Sequence, residues 1–118
     1  MQIASIILCA IVALLHIYFL VLEMFLWDKP KGLKVFNNTL EKAKQTKVLA
    51  ANQGLYNGFL AAGLIYGILL GGEVGLHFRA FFLGCVIVAG IYGGYSVNKR
   101  IFIIQSIPAI LGIVLTFL

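Results

Sequence analysis

Hydrophobic residues in this chain fall into four long runs separated by short polar intervals. The first run, Ile3 to Leu26, is interrupted only by His16 and Glu23. At 1.5 Å per residue it reaches roughly 36 Å, enough to cross a hydrocarbon core with some tilt. Trp27 and Asp28 mark an interface, since tryptophan favours the headgroup level, and Pro30 with Gly32 stops the helix. The second run, from about Val48 to Leu70, ends at Gly71 and Gly72. A short link from Gly71 to His77 forces an antiparallel neighbour. The third run is about Phe78 to Val97. The fourth, Ile101 to Leu118, reaches roughly 27 Å and just suffices to span. The expected helices are therefore 3–26, 48–70, 78–97 and 101–118. Between the first two lies one substantial polar stretch, the loop 28–47. Its Phe36, Leu40, Ala43 and Lys47, at three- and four-residue spacing, leave two alternatives: a short amphipathic helix on the membrane surface, or the first turns of the next helix protruding into water.

Composition strengthens this pattern. Of 118 residues, 62% are hydrophobic and 11% charged, against roughly 45–50% and 25% in soluble domains. A soluble core of this size would hide only part of so much apolar side chain. The chain is expected to be all-α: a single-domain integral membrane bundle of four transmembrane helices, multi-pass in the cell membrane, with membrane lipids as its surroundings. Met1 to Ala10 has no positive n-region and the apolar run continues to Trp27, so the first segment is expected to remain as a helix rather than act as a cleaved signal.

Charge sets the orientation. Six lysines lie between Lys29 and Lys47, and Lys99 with Arg100 forms another basic pair, against Arg79 alone beside the other link. Loops retained in the cytoplasm carry such an excess, so both termini are expected outside and the basic loops inside. The net charge of +5 does not predict nucleic-acid binding, because the basic residues are not interleaved with aromatics in a polar segment. Glu73, His77 and Arg79 read as a solvated external link.

Helices in lipid associate through small residues and interhelical hydrogen bonds rather than apolar burial. The second segment carries Gly54, Gly58 and Ala62 at four-residue spacing, with a further row of Gly63, Gly67 and Gly71. The third has Gly90 with Gly94 and Ala89 with Gly93. These rows predict that the two glycine-rich helices approach backbone to backbone.

Polar side chains at bilayer depth are expensive, which makes their positions the most informative part of the sequence. His16, Glu23 and Trp27 stand along one face of the first helix. On the second, Asn52 shares a face with Tyr56, and Gln53 with Asn57. The fourth contributes Gln105 and, near it, Pro108, whose missing N–H frees a carbonyl four residues earlier. With the topology above, Glu23, Asn52, Gln53, Tyr56, Asn57 and Gln105 lie near the cytoplasmic ends of their helices, with His16 roughly 10 Å deeper than Glu23. Two readings compete. The polar groups glue helices together, or they line a cavity open to the cytoplasm, with Glu23 as proton acceptor or cation partner and Tyr56 and the amides as ligand hydrogen-bonders. Six polar groups at one depth exceed what gluing four helices requires, which favours the cavity. Cys9 and Cys85 lie inside apolar runs with no metal-site spacing and read as small hydrophobes. No phosphate-binding glycine loop, nucleophile elbow or zinc signature is present, so neither cofactor nor metal is expected.

The order His16, Glu23-Met24, Trp27, Asn52, Gly54, Tyr56-Asn57-Gly58-Phe59-Leu60-Ala61-Ala62-Gly63, Ala89-Gly90-Ile91-Tyr92-Gly93, Gln105 and Pro108 resembles the small bacterial membrane proteins grouped as domain of unknown function 1304. The resemblance covers nearly the whole chain. It implies the fold and location already read and no assigned activity. A more distant resemblance is to the four-helix membrane-associated proteins of eicosanoid and glutathione metabolism, trimers that bind glutathione and a lipophilic substrate. Their second helix interleaves arginines with Asn and Glu. Here the corresponding helix has Asn52, Gln53 and Asn57 but no arginine, so an anionic thiol cofactor would lack its partner.

Three functions fit the sequence: a binding or transport protein for a small or amphiphilic molecule, a membrane-embedded enzyme using Glu23 as general acid or base and Tyr56 as donor, and a structural or accessory subunit. Four short helices enclose little volume, so a homo-oligomer is expected in the first two cases.

Overall fold

The computed structural model describes residues 2–118, and among them every regular element is helical. The elements are α1 (Gln2–Met24), α2 (Pro30–Val35), α3 (Leu40–Leu70), α4 (Gly72–Ser96) and α5 (Lys99–Thr116). All but α2 are long and apolar enough to cross a membrane.

Local chemistry explains where these helices begin and end. The amides of Phe25 and Leu26 both donate to the Val21 carbonyl, at 3.0 and 3.2 Å, and this shared acceptor unwinds α1 just short of the expected Leu26. Pro30 opens α2, where its missing N–H costs nothing. Thr39 caps α3 by accepting the Lys42 amide at 3.2 Å. Of the two alternatives left for the polar stretch, Leu40–Lys47 therefore forms the first turns of α3. The expected link from Gly71 to His77 is not a loop. Gly71 and Gly72, at φ 64° and 61°, occupy the left-handed region that side chains avoid, so the chain reverses there and α4 starts at once. Within α5, Phe102–Ser106 is π-helical. The ring of Pro108 would crowd the Ile104 carbonyl in a regular helix, and a widened turn removes that clash.

The chain divides into two compact units, with α1 and α3 contributing to both. The first comprises the residues up to Leu14 together with Leu60–Leu118. Its core is built from Cys9, Val12, Ala13, Ala61, Leu64, Leu83, Val86 and Ala109, drawn from four helices. Ser106 Oγ donates to the Ile87 carbonyl at 2.9 Å and ties α5 to α4. The second unit, Leu15–Phe59, holds the end of α1, α2 and the first turns of α3.

Of the glycine rows, Gly63 and Gly67 meet α4 as expected, against Phe82 and Arg79, while the other rows meet different helices. A Cβ on Gly54 would lie 2.7 Å from Met24 Cγ, so this row lets α1 close on α3. Gly67 faces Arg79, whose amide nitrogen would be 3.0 Å from its Cβ. Gly90 and Gly94 face α5, with the Ser106 amide nitrogen 3.0 Å from a Cβ on Gly90 and Phe102 Cβ 2.7 Å from one on Gly94. Spacing shows that a face is thin without showing which helix fills it.

Candidate functional site

The second unit contains the most concentrated polar arrangement. Glu23 sits in the last turn of α1, only 3% exposed. On α3, Gln53 and Asn57 stand one turn apart and therefore share a face. Gln53 Nε2 donates to Glu23 Oε2 at 2.7 Å, and Asn57 Nδ2 donates to Glu23 Oε1 at 2.5 Å. Gly54 makes the approach possible: its Cβ would lie 3.1 Å from Glu23 Cβ and 3.2 Å from the Leu20 carbonyl oxygen. Among the described residues no lysine, arginine or histidine nitrogen lies within 4.0 Å of the carboxyl group.

The polar rim lies in the turns that follow. Trp27 Nε1 donates to Thr46 Oγ1 at 3.1 Å, and its ring packs on Phe36 with centroids 5.0 Å apart. Lys47 Nζ donates to Asp28 Oδ2 at 3.0 Å, which holds the Asp28 carboxyl below the usual carboxylate range. A groove of about 340 Å³ is lined by Met24, Lys47, Val48, Ala51, Asn52 and Leu55. Its walls are mostly apolar, with the Lys47 ammonium and the Asn52 amide as polar features. Asn52 Nδ2 also donates back to the Val48 carbonyl of its own helix at 2.9 Å.

The expected cluster is thus partly assembled. Glu23, Gln53 and Asn57 meet. Trp27 stands with Thr46 and Phe36, Asn52 lines the groove, and His16 is buried with its ring 5.6 Å from that of Phe19. Tyr56 is 59% exposed, against the Phe59 ring at 6.0 Å, and is not a hydrogen-bond partner of Glu23. Gln105 belongs to the other unit, on the π-helical turn of α5 beside Gly90.

The sequence reading of Arg79 as solvated is overturned. The side chain is 2% exposed in the first unit. Its Nη2 donates to Gln2 Oε1 at 3.0 Å, its Nε has no partner, and no carboxylate lies within 4.0 Å among the described residues. Around it, Gln2 Nε2 donates to the Thr116 carbonyl at 3.2 Å, Ser5 and Thr116 share a hydroxyl hydrogen bond, and the Cys9 thiol interacts with both Ser5 and the guanidinium. Once α4 is known to start at Gly72, the cause is plain. Gly75, Arg79, Leu83, Val86 and Gly90 follow one another at helical spacing along the buried stripe, while Glu73 and His77 pair at 3.9 Å on the exposed face.

Comparison with known proteins points the same way as the residues. The family model described as "Protein of unknown function (DUF1304)" matches residues 10–117. The uncharacterized protein YpaA of Lactococcus lactis subsp. lactis (strain IL1403) is 35% identical over 119 residues, covering 99% of each chain. No solved structure matches.

Proposed function

The chain belongs to the DUF1304 family, and on that premise we propose that it is a multi-pass membrane protein that binds a small or amphiphilic molecule at Glu23, Gln53 and Asn57. In this reading both termini lie outside, the basic loops face the cytoplasm, and copies associate into a homo-oligomer because each encloses little volume. The observation that carries the proposal is a buried acid with no cationic partner among the described residues, each oxygen of which takes one amide donor. A carboxyl group has more acceptor positions than two N–H groups fill. An incoming N–H or O–H head group would complete the set, and the neighbouring groove, with Met24, Val48, Ala51 and Leu55 as walls, would take an apolar tail. The ligand class that fits is a lipophilic amine or another donor-headed amphiphile.

The test is binding of a long-chain alkylamine series to protein reconstituted in vesicles. Glu23→Gln is expected to weaken binding at least tenfold, the loss of one charge-assisted contact of about 1.4 kcal/mol or more, while the protein stays folded in the bilayer. Unchanged amine affinity in a folded Glu23→Gln variant would sink the proposal. The burial of Glu23 favours a second reading, in which the acid and its two amides only clamp α1 to α3. If Glu23→Gln and Asn57→Leu both do nothing except unfold the protein, the clamp reading stands instead.

A further inference from the structure

We infer that the groove beside the α4–α5 turn binds an anionic phospholipid, its phosphate held by Lys99 and Arg100 and its acyl chain lying along the apolar walls. This groove belongs wholly to the first unit. It encloses about 360 Å³ between Ile91, Gly94, Tyr95, Lys99, Phe102 and Ile103. Gly94 faces Phe102, whose Cβ would lie 2.7 Å from a Cβ at that glycine, so backbone forms part of the floor. Ile91, Tyr95 and Ile103 are exposed, Tyr95 by 89%, which leaves the walls open to a chain arriving from the side.

Charge identifies the occupant. Lys99 and Arg100 follow one another at the start of α5, and the Asn98 side chain fixes the turn by accepting the Arg100 amide at 2.9 Å. Both side chains are exposed, and neither has a carboxylate within 4.0 Å among the described residues. The first unit contains one acidic side chain, Glu73, and it lies in the first turn of α4, beside His77. The anion that meets Lys99 and Arg100 must therefore come from outside the unit. The groove of the second unit offers the control: it too has a lysine at its edge, but Lys47 already holds Asp28 at 3.0 Å. A free phosphate would satisfy the cations and leave the apolar walls bare. A phosphate that carries acyl chains satisfies both, through charge-assisted hydrogen bonds at one end and apolar contact along the rest.

The inference rests on the membrane placement proposed above. Its test uses the full chain in nanodiscs of mixed phosphatidylglycerol and phosphatidylcholine, with retained lipid counted by native mass spectrometry. Wild-type protein is expected to retain phosphatidylglycerol with an enrichment on the order of tenfold, the size two basic side chains near a charged surface produce. Lys99→Gln with Arg100→Gln should bring the two lipids to parity, while the six lysines of 29–47 keep the orientation. Ile91→Trp, which fills the groove without touching a charge, should also abolish the enrichment. Lys47→Gln should leave it intact, and soluble glycerol phosphate should fail to displace the lipid. Enrichment that survives the double variant, that falls equally with Lys47→Gln, or that glycerol phosphate competes away would overturn the inference. A chain that stays dispersed in buffer without detergent would instead refute the membrane placement itself.

Discussion

Glu23 in one unit and Arg79 in the other are buried with no opposite charge within 4.0 Å among the described residues, and the two are handled differently. Glu23 receives an amide donor on each oxygen, from two residues one turn apart on a single helix. Arg79 gives one hydrogen bond to Gln2 and keeps its Nε unpartnered, with hydroxyls and a thiol as neighbours. An acid needs only donors to be solvated by protein, and two amides on α3 supply them. A guanidinium has five N–H groups to place, and among the described residues the one on Nε finds no acceptor. In the second unit each oxygen of the buried acid thus has one donor, whereas in the first a buried N–H has no partner among the described residues.

The largest effect should come from leaving the acid half satisfied. Asn57→Leu is expected to cost about 3 kcal/mol in unfolding followed by circular dichroism in mixed micelles, since one buried carboxyl oxygen loses its donor. Adding Glu23→Leu to that variant should recover most of the loss. If it does not, the penalty comes from packing and the contrast fails. In the first unit the sign should reverse. Arg79→Met is expected to leave the unfolding midpoint unchanged or raised, because an apolar chain of similar length replaces an incompletely bonded cation. Gln2→Leu, which strips Arg79 of its acceptor, should lower stability by about 2 kcal/mol. A strongly destabilised Arg79→Met would mean that the guanidinium contributes more than its hydrogen bonds indicate. Ser106→Ala should cost about 0.6 kcal/mol, the usual worth of a polar contact between membrane helices.

The smallest effect belongs to the rim. Lys47 lowers the pKa of Asp28, so the pair contributes stability above the ordinary carboxylate pKa and loses it as pH falls through the lower value in the folded protein. Mild destabilisation on acidification from pH 6 to about 3 should therefore disappear in Asp28→Asn. A pH response of the same size in that variant would place its origin elsewhere.

How much of this was legible beforehand depends on what each residue's signal was. The pairing of Gln53 with Asn57 follows from helical spacing, and the prominence of Glu23 from its isolation in an apolar run. The partnership between them needed α1 and α3 to meet at Gly54, which spacing does not encode. Gln105 shares their predicted depth yet belongs to the other unit. Tyr56 shares their helix but points to a different face.

By itself the sequence determined that the chain is helical and that four of its helices are long and apolar enough to cross a bilayer, because hydrophobic runs and their breaks are local properties. It also determined where small and polar side chains recur along each helix. The tertiary structure decided which helix fills each glycine face, that Leu40–Lys47 runs straight into α3, that Gly72–His77 is helix rather than loop, and that Arg79 points inward. Those outcomes depend on a cap at Thr39, on two left-handed glycines and on which faces become a core. Contacts between distant segments settle the last of these, and no local window of the chain contains them.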